Sequence, residues 1–188
     1  MEIIFVENKL SHFEINAEIK YSLLPLNGEF GYDSISATAN SRGFTMLGAI
    51  ARYYMWDSKI INQATDECNK RNEVCILDNK SISLLLVPKT KGNNSEGSLI
   101  MDVIEACKTI NSKALRFSHY TFVKEKLPEN EIETILSAFL RPSCSLETVY
   151  WDIDSRRIEE MNAIYYKKTR KNINIIREAL PNKVLELK

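Results

Sequence analysis

The chain has 188 residues, 44% of them hydrophobic and 27% charged. That is a globular composition, and with six glycines and five prolines it excludes collagen-like and low-complexity chains. Lys plus Arg total 25 and Asp plus Glu total 25, so a net charge of zero supplies no overall pull toward nucleic acid or an anionic membrane. The length fits one domain, or one domain with an appendage. Cys68, Cys75, Cys107 and Cys144 form no C-x-x-C pair, and only His12 and His119 stand ready to complete a metal shell. We therefore expect no metal site, no resident cofactor and no disulfide scaffold. The opening MEIIFVENKLSHFEI has an acid at position 2 and no long apolar run. Neither a signal peptide nor a membrane span is expected there, and the chain is expected to be cytoplasmic.

In chain order, Glu2 to Val6 predicts a short strand, and Ile19 to Leu26 a second one ended by Pro25 and the Asn27-Gly28 turn pair. Tyr32 to Thr38 predicts a buried strand of small residues. Thr45 to Trp56 has Met46, Ala49, Ile50, Tyr53 and Tyr54 at helical spacing, and Ser58 to Arg71 continues as an amphipathic helix. Ser81 to Val87 is the strongest strand signal, apolar enough to be covered on both faces. Pro88 to Gly97 predicts a loop and Ser98 to Thr109 a helix, with Cys107 on its apolar stripe. Ala114 to Ser118 predicts a strand and Thr121 to Leu127 a loop. Pro128 opens a helix through Leu140, with acids in the first turn. Thr148 to Ile153 predicts a last strand, and Ser155 to Leu180 one or two basic helices. Strands alternating with helices predict an α/β class with a mixed, mostly parallel sheet.

One stretch goes beyond this generic pattern: Asp33-Ser34-Ile35-Ser36-Ala37-Thr38-Ala39-Asn40-Ser41-Arg42-Gly43-Phe44. It resembles the macro domain, whose pattern there is Asp-Ala-Ile-Val-(Asn or Ser)-x-Ala-Asn-Ser. The order of elements from Ser81 to Leu140 is similar to that family as well. The resemblance implies a three-layer α/β/α domain over residues 1–140, with residues 141–188 as a C-terminal strand and helical extension packed on it. It also implies binding of ADP-ribose or another nucleotide-derived ligand, with Asn40 fixing the distal ribose. Asp33 matches the acid that begins the strand, and Glu29 is the nearby acid for an adenine. Ser41, Gly43, Gly48, His119, Tyr120 and Thr121 complete the implied ligand site. Gly43 and Gly48 leave backbone open to a phosphate, because a Cβ would block the approach.

The chain departs from the family in two places. After Asn40 the family carries consecutive glycines and then an acid on the helix. Here the run is Thr45-Met46-Leu47-Gly48-Ala49-Ile50, so only Gly48 remains and Ile50 replaces the acid. The second phosphate loop should be glycine-rich, and Ser118-His119-Tyr120-Thr121-Phe122-Val123 has no glycine. These departures point away from an ADP-ribosyl hydrolase and leave no catalytic residue assigned. They also keep a second reading open, a protein-binding module such as an inhibitor, immunity or assembly subunit, with Leu47, Ile50 and Tyr120 filling the old phosphate path. Each candidate has an ordinary structural role beside the functional one: Asn40 as a cap or turn residue, His119 and Tyr120 as packing. Lys89, Lys91 and the Gly92-Asn93-Asn94-Ser95 run read as a solvated loop. The basic residues Arg156, Arg157, Lys167, Lys168, Arg170 and Lys171 read as a helix face neutralised by nearby acids rather than as a nucleic-acid surface.

Overall fold

A computed structural model describes residues 1–8, 32–39, 46–80, 82–89, 96–117 and 128–177. Among these residues, seven strands form one sheet: β1 (Glu2–Asn8), β2 (Ser34–Thr38), β3 (Cys75–Asp78), β4 (Ser83–Val87), β5 (Ala114–Phe117), β6 (Thr148–Asp154) and β7 (Asn174–Arg177). Their order across the sheet is β3-β4-β2-β5-β6-β1-β7. All neighbours run parallel except β3, which pairs antiparallel with β4. Five α-helices accompany them: α1 (Met46–Tyr53), α2 (Ser58–Arg71), α3 (Glu96–Thr109), α4 (Glu129–Phe139) and α5 (Ile158–Thr169). The candidate strand Ile19 to Leu26 and the loop Thr121 to Leu127 lie outside the described residues.

The two faces of the sheet hold separate cores. Alternation along β4 sends Leu84 and Leu86 to one face and Leu85 and Val87 to the other, and all four are buried. On the first face Leu84 and Leu86 join Ile35 and Ala37 of β2 under Leu47 and Ile50 of α1 and Ile61 and Cys68 of α2. On the second, Leu85 and Val87 join Phe5, Phe117, Val149 and Trp151 under α3, α4 and α5. Phe117 stands edge-on to both Phe139 and Trp151, with ring centroids 5.3 Å apart in each pair. Such pairs add about 0.5–1.5 kcal/mol each beyond the area they bury. Two helical layers on one sheet make a three-layer α/β/α architecture.

Local chemistry sets the boundaries. The pattern from Thr45 to Arg71 reads almost without interruption, yet the chain breaks at Met55, whose φ is 56°. Asp57 then caps α2, its Oδ1 accepting from Lys59 N–H at 2.7 Å. Asn72, left-handed at φ 57°, ends the same helix. β3 had no counterpart among the expected elements. It is an edge strand of four residues, Cys-Ile-Leu-Asp, too short for a period to declare itself. The C-terminal segment differs from expectation more. In place of helix through Leu180, α5 stops at Thr169, and left-handed Arg170 (φ 61°) turns the chain. Asn174–Arg177 then adds to the sheet as β7, parallel to β1. The run Asn-Ile-Ile-Arg suits a strand, and the turn at Arg170 shields the helix periodicity from it. β6 is an inner strand between β5 and β1.

Leu85→Asp should bury a carboxylate between β4 and the α3 layer and cost several kcal/mol. Thermal unfolding should show a collapse of the melting temperature or loss of soluble protein. A folded variant with an unchanged midpoint contradicts the inner placement of β4.

Candidate ligand site

Parallel pairing brings the C-terminal ends of β2, β4 and β5 to the same edge of the sheet. At that edge β2 and β5 lie side by side. They are hydrogen-bonded neighbours, with Ser34 opposite Leu115 and Ser36 opposite Phe117. The floor of the edge is apolar and closed, with Ala39, Val87 and Phe117 all buried. Of the residues assigned to a ligand, Gly48 is described. It sits half-buried in the first turn of α1. Asn40, Ser41, Gly43, His119, Tyr120 and Thr121 lie outside the described residues, as do Glu29 and His12. Asn40 directly follows Ala39, the last residue described at the end of β2.

Leu47 and Ile50 do not face outward from α1. Both are buried in the core of the first face, against the sheet. Asp33 serves the opposite edge. Its Oδ2 accepts from Lys113 N–H at 2.9 Å, and its Oδ1 accepts from the Ser112 hydroxyl. Ser112 in turn lies 2.7 Å from the hydroxyl of Ser34. The acid that begins β2 thus ties the α3–β5 corner to the strand.

At the C-terminal edge stands a residue that the sequence does not single out. Asn69, on the last turn of α2, donates through Nδ2 to Ala39 C=O at 2.9 Å and accepts through Oδ1 from Lys89 N–H at 2.8 Å. Its partners are thirty and twenty residues away in sequence, so helical periodicity could reveal only that it lies off the apolar stripe.

The charged chemistry of the interior is a single ion pair among the described residues. Arg116 of β5 meets Asp152 of β6 through Nε to Oδ2 at 2.9 Å and a second nitrogen to Oδ1 at 2.6 Å. Both side chains are fully buried. The guanidinium carbon lies 5.7 Å from the centre of the Tyr32 ring. Burial pushes the Tyr32 phenol above its ordinary pKa, while the Arg116 charge pulls the other way. Removing one partner of such a buried pair costs about 3–5 kcal/mol. Among the described residues no cluster of three or more His, Cys, Asp or Glu is placed to hold a metal ion. No helix among them is long and apolar enough to cross a membrane. Of the basic C-terminal residues, Arg157 pairs with Glu160, and Lys167 reaches Glu129 and Glu133 of α4.

No protein-family model and no curated protein matches the chain. Solved structures do. The IBV X-domain aligns over 86% of this chain and 97% of its own at a TM-score of 0.51, with 14% identity. A mutant Oceanobacillus iheyensis macrodomain, solved with ADPR, aligns over 74% of this chain and 87% of its own, at a TM-score of 0.51 and 12% identity. The fold is that of a macro domain. The macro domain of ganglioside induced differentiation associated protein 2 is also similar, covering 88% of this chain and 81% of its own at 0.50 and 12%. At these identities the macro-like scaffold is shared, and function has to be argued from the site.

Thiol chemistry at this scaffold is inward. Burial pushes the Cys68 and Cys107 thiols up to about 12 from an ordinary 9.0. Iodoacetamide at mildly alkaline pH should label half-buried Cys75 and Cys144 first, and Cys68 and Cys107 only on unfolding. Peptide mapping after timed alkylation checks the order. Both raised values also carry a sign. The folded state keeps these protons where an unfolded thiol has lost its own, so their contribution to stability is complete below pH 9 and drains away as pH rises toward 12. Denaturant midpoints measured across that range should fall.

Proposed function

We propose that this macro-like domain binds ADP-ribose or another nucleotide-derived ligand at the C-terminal edge of β2 and β5, without hydrolysing it. The observation that carries the reading is the position of β2. An inner strand with neighbours on both sides ends at Ala39 and leads directly into Asn40-Ser41, where open α/β sheets take their ligands. In this reading Asn40 orients a ribose, Gly43 and Gly48 let backbone approach a phosphate, and the His119-Tyr120-Thr121 stretch offers a flat face and hydroxyls. Absence of turnover follows from Ile50. The helix position that would need an acid holds a side chain with no exposed surface, packed in the core.

That same burial favours a second reading. Leu47 and Ile50 give α1 an apolar underside where the family resemblance calls for glycine and acid. The glycine and acid of the family's ligand path are thus missing at these positions of the helix, which suits a module that binds a protein partner.

Thermal shift and calorimetric titration with ADP-ribose separate the two, since a ligand that binds the native state raises the melting temperature by mass action. The ligand reading expects saturable binding that Gly48→Val abolishes with little loss of fold and that Lys168→Ala leaves alone. It also expects little or no release of ADP-ribose from a modified protein. Binding that ignores Gly48→Val yet depends on Lys167 to Lys171 would favour the partner-binding module. Robust turnover lost on Asn40→Ala would overturn the non-catalytic reading.

A further inference from the structure

We infer that Asn69 is a positioning residue that parts β2 from β4 at the C-terminal edge of the sheet. Its bearing on a ligand rests on the reading of that edge as a binding site. The β2–β4 ladder runs in register from Ser34 opposite Ser83 to Thr38 opposite Val87. One more backbone bond follows, Ala39 N–H to Val87 C=O at 2.7 Å. In a parallel ladder, the residue that donates to one partner accepts from the N–H two positions further along that strand. The next rung would run from Lys89 N–H to Ala39 C=O. Those are the two groups that Asn69 takes. Lys89 N–H donates to Asn69 Oδ1 and Ala39 C=O accepts from Asn69 Nδ2. The side-chain amide is spliced in where a rung would be. Two hydrogen bonds and the width of an amide stand in place of one hydrogen bond, so the strands separate there while their polar groups stay satisfied.

The residue type follows from this task. A carboxamide offers a donor and an acceptor together, whereas Asp offers no donor and Ala neither. The orientation of the amide is fixed by its partners, because Lys89 N–H requires the oxygen and Ala39 C=O requires the nitrogen. The adjacent Cys68 holds the helix end at the right height. Fully buried, its Sγ lies 3.1 Å from Glu73 C=O and 3.3 Å from Leu86 C=O, the two acceptors within reach of its one S–H. On the other side of β4, antiparallel pairing ends at Leu86 opposite Cys75, and Pro88 has no N–H with which to extend it. Past Val87, the hold on β4 among the described residues passes through Asn69.

The test uses the purified full chain with Asn69→Ala and Asn69→Asp, reading amide exchange, melting temperature and ADP-ribose affinity by calorimetry. Alanine is a good helix former, so α2 should persist. In Asn69→Ala, exchange at the Lys89 amide should rise about tenfold or more, with β6 and α4 unchanged. ADP-ribose affinity should fall by about tenfold, the order expected when one or two hydrogen bonds that position a site are lost. Asn69→Asp keeps the acceptor for Lys89, so exchange there should stay slow while affinity still falls. Unchanged exchange at Lys89 in Asn69→Ala overturns the inference. So does an equal rise across β6 and α4, or unaltered affinity despite faster exchange at Lys89. A wild-type chain that takes up no ADP-ribose sinks the ligand reading alone, and exchange at Lys89 then decides the role of Asn69.

Discussion

Parallel pairing is the constraint on which the rest depends. Six of the seven described strands point one way, so their carbonyl-terminal ends open on one edge and their starts on the other. A parallel sheet needs cover on both faces, and here the cover comes from α1 and α2 on one side and α3, α4 and α5 on the other. With helices on both faces, the proposed ligand would approach at the edge. The two edges are finished differently. At the starts, the carboxylate of Asp33 ties down the corner before β5 through Ser112 and Lys113. At the ends, the amide of Asn69 satisfies two backbone groups while holding their strands apart. The first device closes the sheet and the second opens it.

Among the described residues the buried charged side chains are Arg116 and Asp152. They sit at the β5–β6 boundary, on the face that carries Tyr150 and Ile35. Desolvating two charges is expensive, and the bidentate fork is the geometry that offsets it. An ion pair of that kind specifies which strands neighbour each other, since a slipped register would leave one charge buried alone. The buried thiols are equally committed, because burial keeps them protonated.

Much of the frame was legible because it rests on local periodicity. The Leu-rich run of β4, the amphipathic stripe of α2, Pro128 before α4 and the alternation around Val149 each declare an element within a few residues of its bounds. β3 and β7 were not legible as strands. Each has four residues and owes its conformation to pairing with a neighbour distant in sequence or to a turn such as Arg170. The candidate site was read from a stretch, Asp33 to Phe44, of which residues 33–39 are described, and Asp33 stands at the start of β2 as read. Asn69 was invisible for a plainer reason. A polar residue on the outer side of a helix reads as solvated, and what distinguishes it is contact with two backbone groups that only the fold brings together.

The first helix sets the terms on which the two functional readings compete. Burying a Leu or Ile side chain stabilises by about 1.5–3 kcal/mol, and α1 buries both Leu47 and Ile50. At those positions stability and ligand chemistry draw on the same space, because a side chain that locks the helix to Ile35 and Leu84 cannot present an acid or leave backbone bare. Gly48 lies between them and faces differently. It is half-buried and has no side chain to block an approaching oxygen. The helix therefore combines an anchored underside with a residue that carries no Cβ in its first turn. Anchoring alone would suit a scaffold for a protein partner, for which a glycine within a helix brings only a cost of about 1 kcal/mol relative to alanine. On the proposed ligand reading that cost is offset by the lack of a Cβ where a phosphate would approach.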